Sequence, residues 1–258
     1  MFISREQRYN PAYSVIERIY IGVFGIPIVG LRIRTRNIFS IIPMDRTYQH
    51  ILDAGSGTGV ISFELGRRFP LASVLGMDQR EAAVRSGTHI ANTIQADNVE
   101  FHKSSIEDYE RNDAFDLLVC VDILEHIKDD VAVLKKLYSM AAPGGILVLH
   151  VPAMYRRYPV WKKSINFDVP EHVRPGYEPD HIRDKVNLSG FSICESGFTY
   201  GFCETLANNI SYMITRARME NKLLYAIAFP FLNLISLLGA CARPKNIGAG
   251  IYVIAEKR

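Results

Sequence analysis

A chain of 258 residues, 48% of them hydrophobic and 22% charged, is long enough to bury a full core and too apolar for a disordered tail. Its four cysteines (Cys120, Cys194, Cys203, Cys241) stand far apart, which excludes a disulfide scaffold and a zinc ribbon and fits a reducing cytoplasm. A net charge of +3 is too small for a dedicated nucleic-acid binder, so no nucleic-acid partner is expected.

The charge is unevenly spread. Residues 1–50 carry seven arginines (Arg5, Arg8, Arg18, Arg32, Arg34, Arg36, Arg46) against Glu6, Glu17 and Asp45. Residues 1–47 read as an N-terminal helical segment, either a lid or a membrane-facing stretch. Within it, residues 19–31 (IYIGVFGIPIVGL) are uncharged and run into Arg32, Arg34 and Arg36. That run is shorter than the roughly 20 residues a crossing helix needs, and it lacks a small-residue cleavage site. It is either packed on the core or an interfacial anchor with arginines near acidic head groups.

From residue 48 onward short apolar runs alternate with longer amphipathic segments. Residues 50–54, 72–77, 99–102, 115–121 and 145–151 read as strands, and 60–69, 80–95 and 129–141 as helices. That alternation predicts a parallel sheet with crossover helices. Residues 152–177 hold Pro152, Pro159, Pro170 and Pro175, with Tyr155, Tyr158 and Trp161 among Arg156, Arg157, Lys162 and Lys163. They read as an insertion that is either a solvated loop or a grip on an anionic or lipid-linked acceptor. A helix follows, with Pro179 in its first turn and Gly190 as its stop, and then strands at 191–200 and 251–255.

Between those strands lies an apolar helical insertion, 205–245. Its residues 223–242 carry no charge, yet Pro230, Asn233, Ser236 and Gly239 argue against a membrane-spanning helix. Pro230 is expected to break the run into a re-entrant or in-plane pair, forming one greasy surface with residues 19–31. Burial in the core or in a homodimer is the competing expectation.

The sharpest local signal is Asp53-Ala54-Gly55-Ser56-Gly57-Thr58-Gly59, directly after a strand and before a helix, with Asp78 closing the next strand. Glycines there let a ligand approach the backbone, and an acid at the second strand's tip accepts hydrogen bonds from ribose hydroxyls. A dinucleotide fingerprint needs G-x-G-x-x-G/A, but the sixth position counted from Gly55 is Val60.

The G-x-G-x-G spacing resembles motif I of the class I S-adenosylmethionine-dependent methyltransferases. Phe115 to His126 (FDLLVCVDILEH) is similar to that family's fourth strand and following turn, in the form common among small-molecule and quinone methyltransferases. Ala142-Pro143-Gly144-Gly145 resembles its turn into strand five, and His172-Val173-Arg174 with Ser189-Gly190-Phe191 its passage before strand six. The resemblance runs from about residue 48 to the C-terminus. It implies one α/β Rossmann-like domain (48–258): a seven-stranded, mostly parallel sheet with an antiparallel last strand and helices on both faces. Because that last strand inserts beside strand six, a single membrane crossing by 223–242 would leave it on the wrong side.

The resemblance also implies S-adenosylmethionine as cofactor. It puts Asp53, Gly55, Ser56, Gly57 and Gly59 around the methionine part, and Asp78 on the ribose. Gln79 then stands where the family often has an apolar residue against adenine, and Val121 ends strand four beside the site. Ser105 stands where the family usually has an Asp for the adenine amino group, and Ile106 offers its backbone amide. In-line methyl transfer demands alignment and no metal, and a positioned base helps when the acceptor carries a proton. His126 and His172 are the candidate bases, Arg174 and Tyr155 further pocket residues, and His150 a strand-end residue without chemistry. The expected activity is methylation of a small or lipid-like acceptor, with oxygen ahead of nitrogen or carbon, by a cytoplasmic protein in peripheral contact with a membrane. The alternatives are an RNA or protein methyltransferase, and a catalytically idle S-adenosylmethionine-binding protein at a membrane.

Overall fold

The computed structural model describes residues 4–158, 162–166, 171–216, 221–239 and 247–258. A 3-10 turn at Arg5–Tyr9 leads into α1 (Val15–Phe24) and α2 (Val29–Ile41). An alternating stretch follows: β1 (His50–Ala54), α3 (Val60–Arg68), β2 (Ser73–Asp78), α4 (Glu81–Ile94), β3 (Val99–Lys103) and β4 (Phe115–Val121). After a 3-10 turn at Leu124–His126 come α5 (Asp130–Met140), β5 (Ala141–Pro152) and a small hairpin of β6 (Tyr155–Arg157) and β7 (Lys163–Ile165). The chain ends with α6 (Pro179–Leu188), β8 (Ser192–Thr199), α7 (Phe202–Thr215), α8 (Lys222–Leu238) and β9 (Gly250–Glu256).

The main sheet runs β3-β2-β1-β4-β5-β9-β8. The pairings from β3 through β5 are parallel, and β9 is antiparallel to both of its neighbours. Because both faces are covered, the central strands are buried almost throughout, and β4 is apolar from Leu117 to Val121. One face packs against α5 and α6 through Leu134, Leu137, Ile182 and Val186. The other packs against α2, α3 and α4 through Ile38, Phe63, Leu65 and Ile90. This is the seven-stranded, Rossmann-like architecture expected above. The strand order reverses between β1 and β4, which is where such a sheet opens a crevice at the C-terminal ends of its strands.

A third cluster joins α1, α2, α7 and α8 through Val29, Ile33, Ala207, Tyr225 and Phe229. Asn37 on α2 donates to both carboxylate oxygens of the buried Glu204 on α7, at 3.2 Å each, and Arg36 reaches Ser236 Oγ on α8 at 3.0 Å.

The structure divides one sequence expectation and corrects another. Residues 19–31 form no single apolar unit: α1 ends at Phe24, Gly25 turns at φ 74°, and α2 begins at Val29. Ile21, Ile26 and Val29 are buried, while Ile19, Val23 and Ile28 are exposed. Pro230 does not split the second stretch, because α8 runs unbroken from Lys222 to Leu238 with Pro230 inside it. The reason is a tertiary contact. A proline removes the N–H that would bond the carbonyl four residues back. That carbonyl, on Ala226, instead accepts the Tyr20 hydroxyl of α1 at 2.6 Å. Tyr20→Phe is therefore expected to lower stability by about 1–2 kcal/mol, measured by urea unfolding, since it orphans a carbonyl inside the helix pair. Residues 240–242 lie outside the described residues. No described helix is long and apolar enough to cross a membrane.

Candidate active site

At the tip of β1 the chain turns through Gly55, Gly57 and Gly59, all at positive φ. Gly59 starts α3, and a Cβ there would lie 2.3 Å from the Phe101 ring, so close helix packing excludes any larger residue. Gly57 differs: a Cβ built on it meets only the Arg80 guanidinium, at 3.7 Å. Its outer side is thus open main chain that a ligand can approach. The N-terminal turn clamps this loop from above. The buried Gln7 donates to the Thr58 carbonyl at 2.9 Å and accepts from the Thr58 hydroxyl at 2.9 Å.

Asp78 ends β2 beside that loop. Its carboxylate accepts from the Gly57 amide at 2.9 Å and from the Arg80 amide and Nε at 2.9 and 3.1 Å. Burial pushes the Asp78 carboxyl up, but the Arg80 and Gly57 bonds outweigh it and hold the group below its ordinary range. The Arg80 side chain is largely exposed. The buried Ser56 hydroxyl has no hydrogen-bond partner among the described residues. An open glycine, an ionised acid and an orphaned hydroxyl around one turn suit a ligand rich in hydroxyl and amino groups.

The other expected contacts are mixed. Asp53 turns into α3, accepting from the Ser62 hydroxyl at 2.6 Å, and burial raises its carboxyl to about 7; it supports the loop from beneath. Gln79 is exposed, and Val121 is half-buried at the end of β4. Ser105 Oγ donates to Asp108 at 2.7 Å and accepts from the Asp108 amide at 3.1 Å, so this hydroxyl organises its own turn. Ile106 is buried in the core beside Met77 and Leu124.

Across Ile123, whose side chain abuts Gly55, lies a second group of polar residues. His126 is exposed, with Nδ1 at 3.2 Å from the Glu171 carbonyl, and its ring meets that of His172 edge-on at 4.5 Å. Glu125 is buried beneath them, its Oε2 without a partner among the described residues. Burial, then the Asp122 charge, raises its carboxyl to about 9. Glu125, His126 and His172 bring ligand atoms within 4.8 Å of one another. A metal bound at about 2.1 Å would require this trio to close slightly. Arg174 is structural: it bonds Asp130, the Tyr177 hydroxyl and the Lys128 carbonyl, tying the insertion to α5. Tyr155 lies under the Lys163 ammonium at 4.3 Å. Arg156, read above within a solvated or gripping loop, is buried and bonds Asn166 and Asn209. Pro159, Trp161 and Pro170 lie outside the described residues.

The raised Glu125 carboxyl has a testable consequence. The folded state keeps a proton that the unfolded chain releases above 4.5, so this group's contribution to stability falls as pH rises from there toward 9. Glu125→Gln mimics the protonated form. Thermal unfolding across pH 5–9 is expected to show the variant gaining steadily on the wild type.

Sequence reasoning missed the network behind this group. Asp122, just past β4, sits at φ 52°, a left-handed backbone that aspartate tolerates. Its Oδ1 lies 2.6 Å from His150 Nδ1 and its Oδ2 2.9 Å from Arg34 Nη1 on α2. His150 Nε2 lies 2.9 Å from Thr199 Oγ1 at the end of β8. Burial raises the Asp122 carboxyl, yet Arg34 and His150 together bring it down to about 2. An ionised carboxylate only accepts, so His150 Nδ1 donates to Asp122. His150, at the end of β5, thus joins the end of β4, β8 and, through Asp122, α2 at one point.

A family model described as a methyltransferase domain matches residues 47–184, more than half of the chain. The chain belongs to the class I S-adenosylmethionine-dependent methyltransferases. Trans-aconitate 2-methyltransferase from Deinococcus radiodurans is 35% identical over 118 residues, 46% of this chain and 43% of that one. Ubiquinone biosynthesis O-methyltransferase from Acinetobacter baumannii (strain AYE) is 30% identical over 97 residues, 37% of this chain and 40% of that one. The chain thus matches less than half the length of these curated relatives. In fold it is similar to Haemonchus contortus phosphoethanolamine N-methyltransferase 2, solved with S-adenosyl-L-methionine. The TM-score is 0.64 at 17% identity, covering 99% of this chain and 60% of that one. S-adenosylmethionine is the family's cofactor, and the loop around Gly57 and Asp78 fits it.

Proposed function

We propose that this methyltransferase moves the methyl group of S-adenosylmethionine to a small, lipid-like acceptor, and that the methylated atom is an oxygen. The observation that carries the reading is the open Gly57 turn with the ionised Asp78, where Ile123 packs on Gly55 and leads three residues on to His126 and its partner ring His172. When bound, the cofactor supplies an electrophilic methyl carbon.

The chain's own residues do the rest. Ser56 and the main chain of 55–59 hold the amino-acid end, and Asp78 the ribose once Arg80 swings away. Gln79, Ser105, Ile106 and Val121 border the base. His126 donates its Nδ1 proton to the Glu171 carbonyl, which leaves Nε2 as an acceptor for the proton of an attacking hydroxyl. His172 packs edge-on against that ring and fixes its plane. A relative named for O-methylation in ubiquinone biosynthesis favours oxygen and an apolar acceptor. In this reading the protein works in the cytoplasm, in peripheral contact with the membrane that carries its acceptor.

The test is transfer of label from methyl-labelled S-adenosylmethionine into a cell extract, followed by partition. Label in the solvent-extractable small molecules, lost on His126→Ala, is the expected result. Label in RNA or protein instead, or none despite tight cofactor binding, would overturn it.

A further inference from the structure

Helix α8 is apolar on two opposite sides. Tyr225, Phe229 and Leu232 are buried against α1, α2 and α7. Leu223, Leu224, Ile227, Phe231, Leu234 and Leu238 are exposed, Leu223 by 77% and Leu238 by 72%. At 3.6 residues per turn these six fall within an arc of about 100°. Helix α1 repeats the pattern: Val15, Ile16, Ile19 and Val23 share one arc, Ile16 being 80% exposed, while Ile21 points inward. The Tyr20 bond to Ala226 and the packing of Tyr20 on Phe229 dock the two helices side by side. So many exposed aliphatic and aromatic side chains at helical spacing are unusual on a water-facing surface.

Cations outnumber acids around these helices. Arg8, Arg18, Arg216 and Lys222 are exposed, and Arg5 reaches the Val23 carbonyl at the far end of α1. Among the described residues of α1, α7 and α8 the only acids are Glu17, bonded to its own helix cap at Ser14, and Glu204, which is buried. A two-fold self-contact would set these cations against their own copies, and Glu17, which lies near Lys222, is the one exposed acid among the described residues of α1, α7 and α8 to offset them. Neither helix is long and apolar enough to span a bilayer.

We infer that α1 and α8 form an in-plane docking surface for a membrane bearing anionic lipids, their exposed arcs entering the acyl boundary and the flanking arginines and lysine meeting head groups. The surface belongs to the same helical cap that reaches the site, since α2 carries Arg34 to Asp122 and packs against α7 and α8. A lipid-like acceptor would then enter from the bilayer. That entry rests on the function proposed above, whereas the docking surface is tested without turnover.

The experiment is co-sedimentation of the full chain with phosphatidylcholine vesicles, with and without phosphatidylglycerol. Two double variants accompany the wild type: Phe231→Ser with Leu234→Ser, and Ile16→Ser with Ile19→Ser. Thermal unfolding serves as the folding control, because these side chains lie outside the core. The wild type is expected to bind vesicles containing phosphatidylglycerol at least about tenfold better than phosphatidylcholine alone, and less well as salt is raised. Each variant should lose at least about tenfold in binding while unfolding at a similar temperature. A folded wild type that stays in the supernatant with both vesicles would overturn the inference. So would equal binding to both lipids, or a lipid-free dimer that the same substitutions dissociate in velocity sedimentation. Docking without methyl transfer would sink only the proposed function.

Discussion

Asp78→Ala is expected to weaken S-adenosylmethionine binding about 100-fold. The Asp78 carboxyl lies below its ordinary range because the Arg80 and Gly57 bonds outweigh burial, so at neutral pH it is an ionised acceptor. Hydrogen bonds to a charged group contribute roughly 1.5–3 kcal/mol each, and losing two to ribose hydroxyls amounts to about 3 kcal/mol. Asp78→Asn keeps one oxygen for the Gly57 amide and should lose only about tenfold. Calorimetric titration reads both variants, with thermal unfolding to confirm that each still folds. Equal affinity in the wild type and Asp78→Ala would remove Asp78 from the site.

The second large effect is expected at Asp122. Asp122→Asn preserves the left-handed backbone at φ 52° and the side-chain size while removing the charge that Arg34 and His150 share. Breaking one partner of a mostly buried ion pair leaves the other uncompensated, and a stability loss of about 2–4 kcal/mol should follow in urea unfolding. Because the folded carboxyl sits at about 2 against an ordinary 3.8, its contribution is present above about pH 4 and lost as pH falls toward 2. The difference between wild type and variant should therefore vanish in acid. Methyl transfer should fall by more than stability alone explains, since the network fixes β4 where it borders Gly55. Replacing the pair together, with Asp122→Asn and Arg34→Met, should restore much of the stability without the activity.

What could be read in the sequence was what lies close along the chain. The β1 run, the glycine turn and the acid at the tip of β2 occupy one continuous strand–turn–helix–strand segment, and their periodicity and residue types announce them. The β4 run and the turn at Leu124–His126 were legible for the same reason. The Asp122 network was not, because Arg34, Asp122, His150 and Thr199 sit on four elements that meet only when the sheet closes and α2 folds over it. Pro230 misled for a related reason: the partner that makes a proline tolerable in α8 is a tyrosine about two hundred residues upstream. Arg156, surrounded in sequence by other cations and aromatics, gave no hint that Asn166 and Asn209 would receive it in the interior.

The central claim is that a sulfonium nucleoside, and not a dinucleotide, lies across the tips of β1 and β2. Titrating the wild-type protein in the calorimeter with S-adenosylmethionine and, separately, with NAD tests it most directly. Saturable one-to-one binding of S-adenosylmethionine with no heat from NAD is the predicted outcome. Tight NAD binding with silence toward S-adenosylmethionine would contradict it.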